Sequence, residues 1–201
     1  MHINSHFAIG IIVSSLFHYF LNFSLLDFTL TVTFSFICDF DVFFSQYAKD
    51  HNHRMLISHS IIPSLLIIII GLLINWPVLF LSGFTYAIHI FIDTLDWGTN
   101  FFYFNKKLLG LKLLITKEEL ENLPNYLMKY QKSESFFDAK YYSNKYCLSI
   151  EFLLFTLMLL FVSMFALEYI WLIAFYFVGL YFHLSRHFNL KRIETSKIPS
   201  D

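Results

Sequence analysis

Charge is scarce in this chain. Only 14% of its 201 residues are Asp, Glu, Lys or Arg, whereas 57% are hydrophobic and 26 are Phe. A soluble domain carries about 25% charged residues, so a water-facing globule is excluded. The net charge of -1 offers no basic excess to a polyanion, and direct nucleic-acid binding is not expected. Cysteine is also rare: Cys38 and Cys147 stand apart, without a CxxC pair or a disulfide framework. The opening "MHINSHFAIG" lacks the Lys or Arg and the small-residue cleavage site of a secretory signal, so its apolar run reads as a retained helix. Internal repeats and low-complexity linkers are missing too, and one helical domain over 1–201 is expected. It comprises a core (1–100), an interfacial loop (101–146) and a C-terminal helix pair (147–190).

Long apolar runs are what the chain has in quantity. A membrane-crossing helix needs about 20 mostly apolar residues. Six segments approach that length: 5–24, 28–46, 57–75, 77–97, 147–167 and 169–187. The expected fold class is all-α, a polytopic membrane protein of about six transmembrane helices. Cations test this layout independently. All 14 Lys and Arg fall on one side of it: Lys49, Arg54, eight from Lys106 to Lys145 and four from Arg186 to Lys197. The connections around 25–27, 75–77 and 168 carry none. By the positive-inside rule the cationic side is cytoplasmic, with both termini there, in an inner or plasma membrane. Within the long loop, "TKEE" at 116–119 has the form of a capping box between Thr116 and Glu119.

Histidine breaks the poverty in polar side chains, and most of the nine histidines fall at the cytoplasmic helix ends together with aspartates. An aspartate costs roughly 3 kcal/mol at a bilayer centre, so several imply partners, water or a metal. In "HIFID", His89 and Asp93 lie one turn apart on one helix face. They can grip one ion there, with Asp96 extending the stripe, or form a hydrogen bond that ties helices. Asp39 and Asp41 point roughly 200° apart on an ideal helix. Both reach one site only if the helix ends or unwinds; otherwise one is a ligand and the other a supporting partner. In "HNHRMLISHS", His53 and His59 are the candidate ligands, Ser58 can cap the third helix with His59 in its first turn, and His51 reads as a solvated loop residue. Arg54 can take a phosphate in bidentate fashion or act as an interfacial cation. His6 is fixed by the helix that follows, whereas His2 lies in a terminus that can fray. His183 and His187 can chelate, or serve the interface and a helix C-terminus. Cys38 can offer a thiolate, although packing is the usual role of a lone buried cysteine. His18 and Asp27 belong to the opposite membrane face.

The order His6, "DFD" at 39–41, "HRMLISHS" at 53–60, "HIFID" at 89–93 and then Gly98 resembles the YdjM-like family of inner-membrane-associated, metal-dependent hydrolases, also called LexA-binding. The likeness covers about residues 5–100. Three residues, "MLI", separate "HR" from "SHS" here, where the family pattern has two. The family is similar in turn to zinc-dependent phospholipase C and related zinc nucleases. Carried over by position, the resemblance implies His6, Asp39, His53, His59, His89 and Asp93 as metal ligands, with Asp41 as ligand or base. Imidazole and carboxylate suit zinc, and also manganese or iron. The expected function is hydrolysis of a phosphoester in a lipid or lipid-linked substrate by metal-activated water. Asp41 or Asp96 would accept the proton and Arg54 would hold the phosphate; membrane lipids are the expected partners. The alternatives are a non-catalytic scaffold or regulator built on a structural metal and, less favoured, an ion transporter. Transport fits poorly, because the outer halves of the third to sixth apolar segments are nearly without polar stepping stones.

Overall fold

The computed structural model describes residues 2–104 and 107–196; Lys106 and Lys197, two of the cations placed above, lie outside the described residues. Nine α-helices are found among the described residues: α1 (Ile3–Leu21), α2 (Leu25–Phe34), α3 (Ile61–Leu73), α4 (Pro77–Asp96), α5 (Lys117–Glu121), α6 (Leu123–Leu127), α7 (Ser133–Ser143), α8 (Lys145–Phe165) and α9 (Ile173–Thr195). No strand occurs among them, only an isolated antiparallel bridge between Thr99 and Leu109. Helices α1, α4 and α8, and the unit Leu167–Thr195 that ends in α9, are long and apolar enough to cross a membrane.

Two expected spans differ from the helices observed. Segment 28–46 is not one helix: α2 stops at Phe34, the axis bends by 40°, and the chain continues as a 3-10 helix over Ile37–Tyr47. Segment 57–75 holds only 13 residues of α-helix, about 20 Å at 1.5 Å per residue. Its cap is Ser60, whose hydroxyl accepts from the Ile62 N–H at 3.4 Å, and not Ser58. Pro63 explains the late start, because a proline lacks the N–H that a helix interior needs and is tolerated in the first turn. His59 consequently precedes α3, closing a short 3-10 turn.

Close backbone contact holds α3 against α4. A Cβ on Gly71 would collide with the Phe80 backbone, and one on Gly83 would sit 2.9 Å from the Ser64 carbonyl oxygen. Small residues allow such approach where water does not drive helices together. Helix α1 packs on α8 and α2, and α2 packs on α4, around a core that includes Ala8, Ile11, Phe28, Val32, Met158 and Val162. Large apolar side chains such as Leu73, Phe152 and Phe182 point outward, an outer surface suited to lipid. At the far end of α1, His18 Nε2 lies 2.8 Å from Glu168 Oε1, and the Tyr169 hydroxyl donates to the Phe23 carbonyl at 2.8 Å.

The loop region ties back to the last helices. Thr116 and Glu119 form the capping box of α5, and Glu119 also accepts from Lys140 of α7 at 2.5 Å. Helix α9 runs on to Thr195, more than two turns beyond His187, too far for His183 and His187 to meet a helix C-terminus. Instead His187 Nδ1 meets Asp138 Oδ2 of α7 at 2.6 Å. The His183 ring lies 4.2 Å from His2, itself 3.9 Å from Tyr141, so His2 is packed where fraying was expected.

Candidate metal centre

Four donor atoms from three parts of the chain meet in the interior. His59 Nε2 lies 3.3 Å from Asp93 Oδ2 and 3.7 Å from Asp39 Oδ1. His89 Nε2 lies 3.5 Å from each of the same two oxygens. Two ligands of one ion at about 2.0–2.1 Å each lie at most about 4.2 Å apart, a limit that these four separations meet. His59, His89 and Asp93 are fully or almost fully buried.

Each side chain owes its position to a local feature. His89 and Asp93 share one face of α4, and the end of that helix is fixed by Gly98, whose φ of +82° is the left-handed backbone that favours glycine. The Gly98 N–H returns to the Asp93 carbonyl at 3.0 Å, a helix C-terminal cap. The break after α2 leaves the Ser35 carbonyl at a helix end, where it accepts from His89 Nδ1 at 2.8 Å. With Nδ1 donating, the His89 Nε2 lone pair faces the other donors. A 3-10 helix has three residues per turn, which brings Asp39 and Asp41 to about 120° apart. Both then reach His59 from different sides. Asp39 approaches Nε2, while Asp41 Oδ2 accepts from Nδ1 at 2.6 Å and from Ser58 Oγ at 2.5 Å. Both arrangements open to this pair are met: the backbone is unwound, and Asp41 supports the ring that Asp39 faces. Thr99 Oγ1 donates to the His59 carbonyl at 2.6 Å, and the Tyr86 hydroxyl donates to the Ser58 carbonyl at 2.5 Å.

The remaining candidates surround this group. His6 Nε2 lies 3.2 Å from Asp93 Oδ1, and its ring stacks on His89 at 3.6 Å. The His53 ring is 5.0 Å from His59; burial, then the neighbouring His59, lower the His53 imidazole to about 4, so it is neutral at pH 7 with a lone pair to offer. Three sets of residues have donor atoms within 4.8 Å of one another: His6, Asp39, His89 and Asp93; Asp41, His53 and His59; and Cys38, His59 and His89. These buried groups could hold a metal ion. His51 is exposed, as expected of a loop residue.

Arg54 and Asp96 are engaged with each other. Arg54 Nη1 donates to Asp96 Oδ1 at 2.7 Å and Nη2 to Asp96 Oδ2 at 3.2 Å. Nη1 also reaches the carbonyls of Asp93 and Gly98, at 3.2 and 3.4 Å, and Nη2 lies 3.3 Å from Asp93 Oδ2. Burial opposes the Arg54 charge, yet Asp93 and Asp96 more than compensate and hold the guanidinium firmly protonated. The fork expected to grip phosphate is thus spent on Asp96, and of the two expected bases, Asp41 and Asp96, the latter is bound to an arginine. Residues so far apart in sequence give no local sign of such a pair. Ser35 and Thr99 support the site without any sign in the sequence, and Ser58, expected as a helix cap, bonds Asp41 instead.

Whether the donors fit a metal is tested by their hydrogen bonds. His6 Nδ1 and Nε2, His59 Nε2, His89 Nε2 and Asp39 Oδ2 are buried and make no hydrogen bond among the described residues. Buried polar atoms are ordinarily hydrogen-bonded, and a shared cation satisfies imidazole lone pairs and carboxylates together, so the residues fit. Beside them a cleft of about 420 Å³ opens between the 3-10 helix and the turn at 56–58. Ile37, Phe40, Phe44 and Leu56 wall it, and Asp41 and Tyr86 also line it. No family model, curated protein or solved structure matches the chain.

Proposed function

We propose that this protein is a membrane-embedded, metal-dependent hydrolase of the YdjM-like kind, cleaving a phosphoester of a lipid or lipid-linked substrate at the cytoplasmic face. The observation that carries the reading is the convergence of Asp39, His59, His89 and Asp93 at 3.3–3.7 Å, with both imidazole Nε2 atoms lacking hydrogen bonds among the described residues. These four residues would hold the ion, with His6 and His53 beside them. A divalent ion supplies a bound water that ionises near neutral pH and a Lewis acid for the phosphoryl oxygen.

The protein's own part is orientation and proton handling. Asp41 and the Ser35 carbonyl set the tautomers of His59 and His89. Arg54 neutralises Asp96 and steadies Asp93, so we assign this pair to positioning. Asp41 remains as the carboxylate to accept a proton, since its Oδ1 has no hydrogen bond among the described residues and the residue borders the cleft. The apolar walls there favour a substrate with a hydrocarbon chain over a soluble phosphate ester.

The test is turnover of phosphodiester and phosphomonoester lipids by detergent-purified protein supplied with zinc. Long-chain substrates should be hydrolysed with higher kcat/KM than water-soluble esters, and Asp41→Asn should lower kcat by roughly 10²–10⁴-fold, the usual contribution of a general base. Stoichiometric metal with no turnover of any phosphoester would move the reading to the scaffold.

A further inference from the structure

Cys38 is buried immediately before Asp39, against Tyr86 and Ile90 of α4. Packing accounts for its burial. It does not account for the two imidazoles beside it: the Sγ and one ring nitrogen each of His59 and His89 belong to one group whose donor atoms all lie within 4.8 Å. Both rings are buried, and the Nε2 of each makes no hydrogen bond among the described residues.

We infer that Cys38 is a thiolate ligand of the same ion as His59 and His89. This rests on the metal reading above and extends it from a hard-donor site of imidazoles and carboxylates to a mixed sulfur–nitrogen–oxygen site. The thiol proton leaves to solvent as the sulfur–metal bond forms, so no oxidant or reductant is involved. Zinc–sulfur bonds are about 2.3 Å long, longer than the bonds to nitrogen, and Cys38 stands next to Asp39 in the 3-10 helix. A thiolate changes which ion the centre prefers. Sulfur selects zinc, or cobalt and iron in its place, and disfavours manganese and magnesium.

Cobalt(II) substitution of the detergent-purified protein reads this directly, because a cobalt-bound thiolate gives a sulfur-to-metal charge-transfer band in the near ultraviolet. Wild type and Cys147→Ser should bind cobalt and show the band. Cys38→Ser and Cys38→Ala should lose the band while retaining cobalt on the histidines and carboxylates. Bound cobalt in wild type without the band, or a band that survives in Cys38→Ser, overturns the thiolate and leaves the histidine–aspartate centre standing. Failure of wild type to bind cobalt or zinc at all overturns both.

Discussion

Asp41 illustrates how much of the site's chemistry depends on groups that need not touch an ion. Its carboxylate accepts from His59 Nδ1 and from Ser58 Oγ, fixing the ring so that Nε2 faces Asp39 and Asp93. Asp41→Asn preserves shape but removes that preference, and zinc affinity should fall roughly 10–100-fold, as when other outer partners are lost; chelator competition measures it. Arg54 makes a different kind of contribution. Arg54→Met leaves Asp96 buried without its cation, which should cost about 3–5 kcal/mol in denaturant unfolding, and adding Asp96→Leu should recover most of the loss. His53 gives a pH prediction. Its imidazole titrates near 4 in the fold against an ordinary value of about 6.5. Between these values the unfolded chain binds the extra proton, so the stability His53 contributes is present above about pH 6.5 and lost as pH falls toward 4. A His53→Gln variant should show a shallower acid destabilisation across that window. The pairing of His89 with Asp93 was legible from spacing alone. The Arg54–Asp96 pair was not, because only the folding of α4 against the 53–55 turn brings them together.

The break between α2 and the 3-10 helix turns an ordinary apolar segment into a ligand platform. Nothing in "FSFICDFD" marks it: there is no Gly or Pro, and the phenylalanines read as continuous helix. The aspartates supplied the one clue, since both could serve a single site only from an irregular backbone. The start of α3 was misplaced onto Ser58, although Pro63, which is tolerated in a first turn, points to the later start at Ser60. Helix α4 matched its expected span almost residue for residue, because apolar length, a proline at its start and a glycine just past its end agree. The α3–α4 hairpin carries the element-level prediction. Gly71→Ala places a methyl group against the Phe80 backbone and should destabilise the protein by about 1–3 kcal/mol, the usual cost of overpacking, read as a lower unfolding midpoint in detergent. Loss of metal should follow, since α4 carries His89 and Asp93.

Taken whole, the molecule is polar inside one end and apolar outside. Serines, threonines, histidines and aspartates are among the buried residues, those of the candidate metal centre included, while Phe, Leu and Ile cover the outer faces of α3, α8 and α9. That inversion, with four helices long enough to cross a bilayer, supports reading the centre as lying at headgroup depth. Cations gathered on the same side support the cytoplasmic assignment. Single cysteines placed in the 75–76 connection and in the 107–146 loop should therefore be labelled from opposite sides of sealed membrane vesicles. The central claim is the ion itself, and metal analysis of protein purified without chelators tests it most directly. Wild type should carry a stoichiometric transition-metal ion, and Asp93→Asn and His89→Ala should lose it while remaining monodisperse. Wild-type protein that holds no metal, even after incubation with zinc, would contradict the account.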